Sequence, residues 1–183
     1  MPKNKIQHGE LELMPYTIQD GIPSMTDSYI MSMYDLMEKH HMLRWVFFSG
    51  GINSKEEWLD FIKTRISPYF AIVDWNEQNE LGYPKTYGHV LLTECKAKAA
   101  TVHFCYFRCN EKPRYTAKFC AEIMDIMDYT YLQGIVPAIN WRINKFNESV
   151  PGCKKLAVLP NAAWDDKEGQ VVDAVLYHFD REK

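Results

Sequence analysis

The sequence predicts a single α/β domain over residues 1–183. Helical and strand-like patterns are mixed along the chain in the order β-α-α-β-β-β-α-β-α-β-β. Of the 183 residues, 46% are hydrophobic and 14% are aromatic, which is enough to bury a sizeable core. Because no internal repeat, low-complexity segment or linker interrupts these patterns, we expect one domain.

The chain begins with a strand and a helix. Leu11 and Leu13 alternate with polar residues, as in a half-buried strand. Within residues 23–42 the apolar positions recur at helical spacing, and Thr26 or Asp27 can cap this helix. Its buried face is predicted to contain Ile30, Met33, Tyr34 and Met37.

A second helix and three strands follow. Ser54 and Glu57 have the spacing of a capping box, and Pro68 ends the helix that they begin. Trp58, Phe61 and Ile62 give this helix its buried face. Runs rich in β-branched and aromatic residues, joined by short polar connections, then predict an antiparallel meander. Its strands are expected at residues 69–75, 87–95 and 101–109.

The last third of the chain contains two helices and three strands. A long helix is predicted from Pro113 to Leu132, with Gly134 marking its end. Asn140 can cap a further helix that runs to Val150. The strands are expected at residues 135–139, 154–164 and 171–180, the last two joined by a turn at 165–169.

Charge and hydropathy exclude several functional classes. The formal net charge is −3 and no long run of one sign occurs, so we expect neither a nucleic-acid partner nor an anionic membrane partner. No window reaches the roughly 18 apolar residues of a membrane span. The segment "MPKNKIQHGE" lacks the apolar stretch of a signal peptide. These features predict a cytoplasmic protein.

The cysteines are predicted to be buried, reduced thiols. They are five in number, widely spaced, and contain no C-x-x-C pair that would suggest zinc. They are Cys95, Cys105, Cys109, Cys120 and Cys153. His40 and His41 are adjacent and therefore point apart, so no metal site is expected from them.

Two segments carry a family resemblance. The first, "CNEKPRYTAKFC", follows a strand and opens a helix, and it resembles the pattern V-x-P-x-x-[QR]-x-x-G-x-[GA]. Its slots are taken by Cys109, Glu111, Arg114, Ala117 and Phe119. The second resembles N-x-x-A-x-x-x-Y-E-K-x-G-F, with one added residue near Pro151. Its slots are taken by Asn140, Ile143, Asn147, Glu148, Gly152 and Cys153.

Together with the order of elements over nearly the whole chain, these segments resemble the GCN5-related N-acetyltransferase (GNAT) superfamily. The chain looks like a divergent member of the kind that occurs in phage and prophage genomes. The resemblance implies a mixed, mostly antiparallel sheet of about six to seven strands flanked by helices. It also implies a splay between strands four and five, in which acetyl-CoA lies as co-substrate.

The resemblance also implies a set of cofactor-binding residues. Backbone groups of strand four would face pantetheine, and amides at the start of the next helix would face the pyrophosphate. The strand residues are Phe107, Arg108 and Cys109, and the helix residues are Arg114, Tyr115, Thr116, Ala117 and Lys118. Asn140 and Asn147 of the second segment complete the set.

The residues in the glycine slots affect whether acetyl-CoA can bind at the start of this helix. Ala117 adds only a methyl group, whereas Phe119 would block the ligand if it faced it. Helical spacing of Phe119 with Ile123 favours a core position instead. Arg114 is either a partial anion neutraliser or a solvated charge at the helix start. Lys112 could supplement its charge, as could Lys118.

The implied reaction is direct transfer of acetyl to an amine. His103 and Glu94 are the candidates for the general base. A lone histidine between apolar strand residues is nevertheless more often structural, and a glutamate at a strand end is more often a solvated charge. Asn147 occupies the slot of the family's tyrosine, and it can donate a hydrogen bond but not act as an acid. A second interpretation is therefore a catalytically inactive GNAT-like domain with a binding or assembly role, for example in a phage or prophage.

The acceptor implied by the resemblance is a small-molecule amine or a protein amino group. A homodimer is a further hypothesis for the partner of this chain. Three aromatic residues could line an acceptor pocket or belong to the core: Trp45, Phe47 and Phe48. Asp165 and Asp166 could attract a cationic amine or simply be solvated. Trp141 and Arg142 could stack on adenine or serve packing.

Overall fold

The computed structural model describes residues 9–43, 52–64, 68–107, 109–165 and 168–180. They form a seven-stranded sheet in the order β1-β2-β3-β4-β5-β7-β6. A separate two-stranded hairpin pairs Ile18–Gln19 with Ile22–Pro23. The strands of the large sheet are β1 (Glu12–Pro15), β2 (Tyr69–Gln78), β3 (Pro84–Lys96), β4 (Ala99–Tyr106), β5 (Tyr131–Pro137), β6 (Cys153–Asp165) and β7 (Gln170–Asp180).

Three of the four described helices begin where the sequence places a capping side chain. Thr26 Oγ1 accepts the Tyr29 N–H at the start of the first helix, and Ser54 Oγ accepts the Glu57 N–H at the start of the second. Asn140 caps the fourth through the Ile143 N–H. The helices are α1 (Asp27–Lys39), α2 (Lys55–Lys63), α3 (Lys112–Met127) and α4 (Trp141–Glu148).

The sheet opens between β4 and β5. These two strands are parallel and pair only at residues 99–101 with 131–133. Beyond that point neither strand pairs with the other, whereas β5 stays paired with β7 from Tyr131 to Pro137. Strands β1 to β4 are paired antiparallel on the other side of the opening, and β2 to β4 form a meander. The sheet is therefore mixed, mostly antiparallel and splayed between its fourth and fifth strands, as expected.

The core lies on both faces of the sheet. Helices α1 and α2 cover one face, where Trp58, Tyr29 and Met33 are fully buried beside Ala71 and Cys105. On the other face α3 packs its Phe119 and Ile123 against Ile72, Leu92 and Tyr106. Since neighbouring strand residues point to opposite faces, Cys105 and Tyr106 belong to different halves of the core. The boundary between the halves is therefore the sheet itself.

The predicted end of the long helix is wrong. The long helix ends at Met127 rather than Leu132, because Asp128 adopts a left-handed conformation with φ 54° and ends the helical hydrogen bonding. Tyr131 and Leu132 then belong to β5, and Gly134 lies inside that strand rather than at the helix end. The apolar Leu132 pairs across the sheet with Phe179, a long-range contact that its helical spacing does not reveal.

All five cysteines are free, and Cys105, Cys109 and Cys120 are buried. Within the described ranges, no helix has the length and apolar character needed to cross a bilayer. The same residues contain no cluster of three or more potential metal-binding side chains.

Candidate active site

A cavity of about 320 Å³ occupies the opening between β4 and β5. It passes through the sheet, because its lining includes Cys105 from the α1–α2 side and Tyr106 from the α3 side. The remaining lining comes chiefly from β5, the start of α3, α4 and β7. A ligand in this space would have access to unpaired backbone on both strands.

Three residues form a chain on the α3 side of the opening. The Thr116 hydroxyl donates to the Lys112 carbonyl at 2.9 Å. Its oxygen must then accept from the Tyr106 hydroxyl, which lies 2.8 Å away. Burial raises the pKa of Tyr106 well above its ordinary value, so this phenol stays protonated. These two hydrogen bonds connect the end of β4 to the first turn of α3.

The first turn of α3 brings Lys112 to the cavity. Glu111 precedes it in a left-handed conformation, and Pro113 follows it. The Lys112 ammonium lies 5.8 Å from the centre of the Tyr106 ring. Burial raises the pKa of the Cys105 thiol to about 12, and the charge of Lys112 partly opposes that rise. Lys112 therefore places a cation beside the opening.

The other two cations of this turn point elsewhere. Arg114 binds the Glu111 carboxylate at 2.8 Å and Glu10 at 3.3 Å. Lys118 binds Glu10 at 3.0 Å, and Tyr115 donates a hydrogen bond to the same carboxylate at 3.4 Å. These contacts lower the pKa of Glu10, with the Lys118 hydrogen bond as the largest cause. None of the three side chains lines the cavity.

The remaining predicted cofactor residues are divided between the site and the core. Thr116 lines the cavity, whereas Ala117 packs against the α3-side core. Phe107 is buried on the α1–α2 side, 6.0 Å from the ring of His89. The Cys109 thiol is buried and donates to the Asn110 carbonyl at 2.8 Å. Arg108 lies outside the described residues.

Phe119 is a core residue, as its spacing predicts. Its side chain is 0% exposed and its ring lies 5.7 Å from that of Tyr115. It does not line the cavity. The bulky residue in the second glycine slot therefore leaves the opening clear.

His103 lines the cavity from β4. Its Nε2 lies 2.8 Å from the Thr93 hydroxyl. Burial lowers its pKa below the ordinary value, and the nearby Glu94 carboxylate opposes that effect. The imidazole is therefore neutral at pH 7, as a general base requires.

Glu94 lies outside the cavity lining. It has φ 50° at a register shift between β3 and β4, and its side chain turns back to accept the Thr101 hydroxyl at 2.8 Å. Thr101 in turn accepts the Gln133 side-chain amide at 3.0 Å. Gln133 does line the cavity, so Glu94 is connected to the site through two other side chains.

Helix α4 brings asparagines to the site. Asn140 and Asn147 both line the cavity. Between them, the Asn144 amide donates to the carbonyl oxygens of Pro137 and Asn140 at 3.2 and 2.9 Å. Its Oδ1 accepts the Tyr177 hydroxyl at 3.0 Å. Asn144 thereby joins the end of β5, helix α4 and strand β7.

Sequence patterns missed four residues of this site. The sequence indicates Lys112 only as a supplement to the charge of Arg114, and no motif slot contains Gln133, Asn144 or Tyr177. Burial raises the pKa of Tyr177 to about 12, with a further contribution from Glu148. Tyr177 and Gln133 sit in strands with no local motif around them, so only pairing with distant segments marks them.

The predicted acceptor residues have mixed positions. Trp45, Phe47, Phe48 and Asp166 lie outside the described residues. Asp165 is buried rather than solvated. Trp141 is exposed at the start of α4, with the Arg142 guanidinium 5.5 Å from its ring centre. The exposed ring serves no core packing, so stacking on a ligand stays a prediction.

No protein-family model and no curated protein sequence matches the chain. Its fold, however, is similar to that of solved acetyltransferases. Spermidine N-acetyltransferase from Vibrio cholerae, in complex with CoA and spermine, aligns with a TM-score of 0.64 at 14% identity. The alignment covers 92% of this chain and 94% of that one.

Two further structures show the same likeness. The Salmonella typhimurium acetyl transferase that modifies the N-terminal serine of ribosomal protein L7/L12 has a TM-score of 0.68 at 13% identity, covering 94% and 95% of the two chains. A GNAT-family acetyltransferase from Bacillus anthracis has a TM-score of 0.66 at 9% identity, covering 97% and 99%. The chain therefore has the GNAT fold.

Proposed function

We propose that the protein is a GNAT-type N-acetyltransferase. It transfers the acetyl group of acetyl-CoA to an amine acceptor, which is a small molecule or a protein amino group, by direct attack in a ternary complex. The observation that carries this proposal is the opening between β4 and β5, which holds a cavity of about 320 Å³ reaching both faces of the sheet. Two substrates could meet there from opposite sides.

The first turn of α3 supports binding of a pyrophosphate. Helix N-termini favour anions because their first N–H groups have no intrahelical partner. Lys112 lines the cavity beside this turn, and no ion pair occupies its ammonium among the described residues. Arg114 and Lys118 are both held by Glu10. Lys112 is therefore the proposed phosphate-binding cation, in preference to Arg114.

His103 is the proposed general base. If its Nε2–H donates to the Thr93 hydroxyl, the Nδ1 lone pair is free to take a proton from the attacking amine. The lowered pKa keeps the ring neutral near pH 7. The new C–N bond forms at the thioester carbonyl, the C–S bond breaks, and His103 retains the proton lost by nitrogen.

The departing thiolate requires a hydrogen-bond donor rather than a strong acid. Asn147 lines the cavity in the slot where the family carries a tyrosine, and its amide can donate. Tyr106 and Tyr177 also line the cavity, but their hydroxyl protons are already donated to Thr116 and Asn144. Positioning of the two substrates then supplies much of the rate.

Calorimetric titration with acetyl-CoA tests the cofactor site. We expect saturable binding to the wild type and about fivefold to tenfold weaker binding to Lys112→Gln, because one charge-assisted contact is lost. Arg114→Gln serves as the matched control and should bind almost normally, since Glu10 and Glu111 already hold its guanidinium. Equal losses for both variants would contradict the preference for Lys112.

Acetyl transfer tests the activity itself. Mass spectrometry should detect acetylation of at least one amine in a panel of spermidine, phenethylamine and peptides with N-terminal serine or alanine. His103→Gln should lower kcat by about a hundredfold while acetyl-CoA still binds, because only proton transfer is removed. Absence of binding at millimolar acetyl-CoA would refute the proposal.

A catalytically inactive domain with a binding or assembly role, as in a phage or prophage protein, is the second candidate. Three observations favour it: Ala117 and Phe119 replace the motif glycines, Asn147 replaces the tyrosine, and Glu10 neutralises Arg114 and Lys118. In that case the titration would show no acetyl-CoA binding. The chain would then need a macromolecular partner instead.

A further inference from the structure

Gln133 stands at the vertex of the opening. It pairs with Thr101, and these are the last residues at which β4 and β5 are joined before they separate. Its side chain lies on the same face as Thr101, which is also the face of His103 two residues further along β4. Gln133 and His103 both line the cavity. An acceptor that reaches His103 therefore also meets Gln133.

The orientation of the Gln133 amide follows from hydrogen-bond donors alone. Glu94 is a carboxylate and can only accept, so the single Thr101 hydroxyl proton is donated to it at 2.8 Å. Thr101 Oγ1 must then accept from its other neighbour. That neighbour is the Gln133 Nε2, at 3.0 Å. The amide nitrogen is thereby directed to Thr101, and the carbonyl Oε1 is left for another donor.

The two supporting residues are themselves held in place. Thr101 is only 3% exposed, so its hydroxyl has few alternatives to these contacts. Glu94 adopts φ 50° at a register shift in β3, a strained conformation for glutamate. That bend returns its carboxylate to Thr101. Backbone strain that fixes one side chain is typical of functional positions.

We infer that Gln133 is the residue that binds the amine of the acceptor, and that Glu94 and Thr101 are positioning residues for it. This inference rests on the proposed acetyltransferase function. The Gln133 Oε1 accepts a hydrogen bond from one N–H of the neutral amine. The lone pair of the amine nitrogen is then directed at the thioester carbonyl. A second N–H faces His103. The site thus selects acceptors that carry at least two N–H bonds, which are primary amines.

The hydrogen bonds from Glu94 through Thr101 to Gln133 form a relay, which two variants break without removing Gln133. Thr101→Val keeps the shape but removes the hydroxyl. In Glu94→Gln, the amide at position 94 can donate to the Thr101 oxygen. The Thr101 hydroxyl can then donate to Gln133 Oε1, which reverses the orientation of the Gln133 amide. Either change should raise the KM for the acceptor about tenfold, the cost of one hydrogen bond, with little change in kcat. Affinity for acetyl-CoA should stay at the wild-type value.

Steady-state kinetics with the best substrate of the amine panel provides the test. Glu80→Gln, an exposed glutamate in the β2–β3 connection, is the matched control and should behave as the wild type. An N-methylated acceptor offers a second readout. The wild type should have a lower kcat/KM for N-methylphenethylamine than for phenethylamine, and Glu94→Gln should lose part of that preference. Because the Glu94 side chain is exposed, this variant is expected to fold.

The outcomes separate the two hypotheses. Wild-type protein that binds acetyl-CoA and turns over an amine, with an unchanged acceptor KM in both relay variants, would overturn the role of Gln133 alone. Wild-type protein that acetylates no member of the panel would overturn the proposed function and this role with it. A rise in acceptor KM confined to the relay variants, with acetyl-CoA affinity unchanged, would support the inference.

Discussion

His89 is the most unusual single residue near the site. It is fully buried in β3, beside the rings of Trp58 and Tyr69, and its Nδ1 has no hydrogen-bond partner in the part of the chain that is described. Burial lowers its pKa to about 3, and the neighbouring His103 adds to the effect. A neutral imidazole so placed costs stability whenever the unfolded chain can be protonated.

Acid should therefore destabilise the protein through this residue. The unfolded state binds a proton near pH 6.5 while folded His89 does not, so stability is present above that pH and falls as pH drops towards 3. Each such group contributes about 1.4 kcal/mol per pH unit. His89→Leu should reduce the slope of unfolding free energy against pH between 6 and 4 by about that amount, as measured by urea denaturation.

The control for this experiment is His41→Asn. His41 is exposed and has a left-handed backbone that asparagine tolerates. Comparison with this variant separates the effect of the buried position of His89 from the loss of a histidine as such. An unchanged slope in His89→Leu would mean that His89 is protonated in the folded protein.

At the scale of elements, a carboxylate that is distant in sequence lies beside the start of α3. Helix α3 has no side-chain cap, because Glu111 precedes it in a left-handed conformation. Glu10, next to β1, meets Arg114, Tyr115 and Lys118 and so places a negative charge beside a helix N-terminus. This stabilises the helix but competes with any bound anion.

Removal of that charge should strengthen acetyl-CoA binding. Glu10→Gln would remove the charged partner that Lys118 and Arg114 share, although Lys118 keeps the Leu11 carbonyl and Arg114 keeps Glu111. We expect an affinity gain of about twofold to fivefold at low salt that shrinks as salt is added. Calorimetry at two ionic strengths provides the measurement. Glu12→Gln, also exposed on β1, should bind as the wild type. A loss of affinity in Glu10→Gln would show that the carboxylate organises the site rather than opposing it.

At the scale of the whole molecule, the proposed function depends on two halves of a sheet that separate between β4 and β5. Strands β1 to β4 are linked to β5, β7 and β6 through only three residue pairs of β4 and β5. Helices α3 and α4 flank the opening, and Asn144 joins α4 to β5 and β7. The cavity is thus a product of the strand arrangement, not of any one segment.

Gly134 offers a way to close the opening without harm to the fold. It lies in β5 and lines the cavity, and a Cβ added there meets no atom within 4 Å. Gly134→Val should keep or raise the melting temperature, because valine favours strands. It should lower acetyl-CoA affinity at least about tenfold by filling space that the ligand needs. Gly134→Ala should weaken binding much less.

Calorimetry and thermal denaturation of the two variants provide this test. Unimpaired binding in Gly134→Val would mean that acetyl-CoA does not enter between β4 and β5. A lowered melting temperature would mean that the added side chain disturbs β7, which pairs with β5 at this position.

The sequence by itself determined the order of elements and most helix starts. Thr26, Ser54 and Asn140 cap helices where their spacing predicts, and Phe119 is buried as its periodicity predicts. These features depend on neighbours within a few residues, so they can be recognised locally. The end of α3 was missed because its apolar residues continue into β5, where they pair with β7.

Only the tertiary structure decided which residues face the opening. Arg114 matches the motif, yet Glu10, which is 104 positions away, holds it outside the cavity, while Lys112 lines it. Gln133 and Glu94 are connected through Thr101 across three strands. A side chain's partner in a sheet is set by strand order and register, and both depend on contacts that no local pattern records.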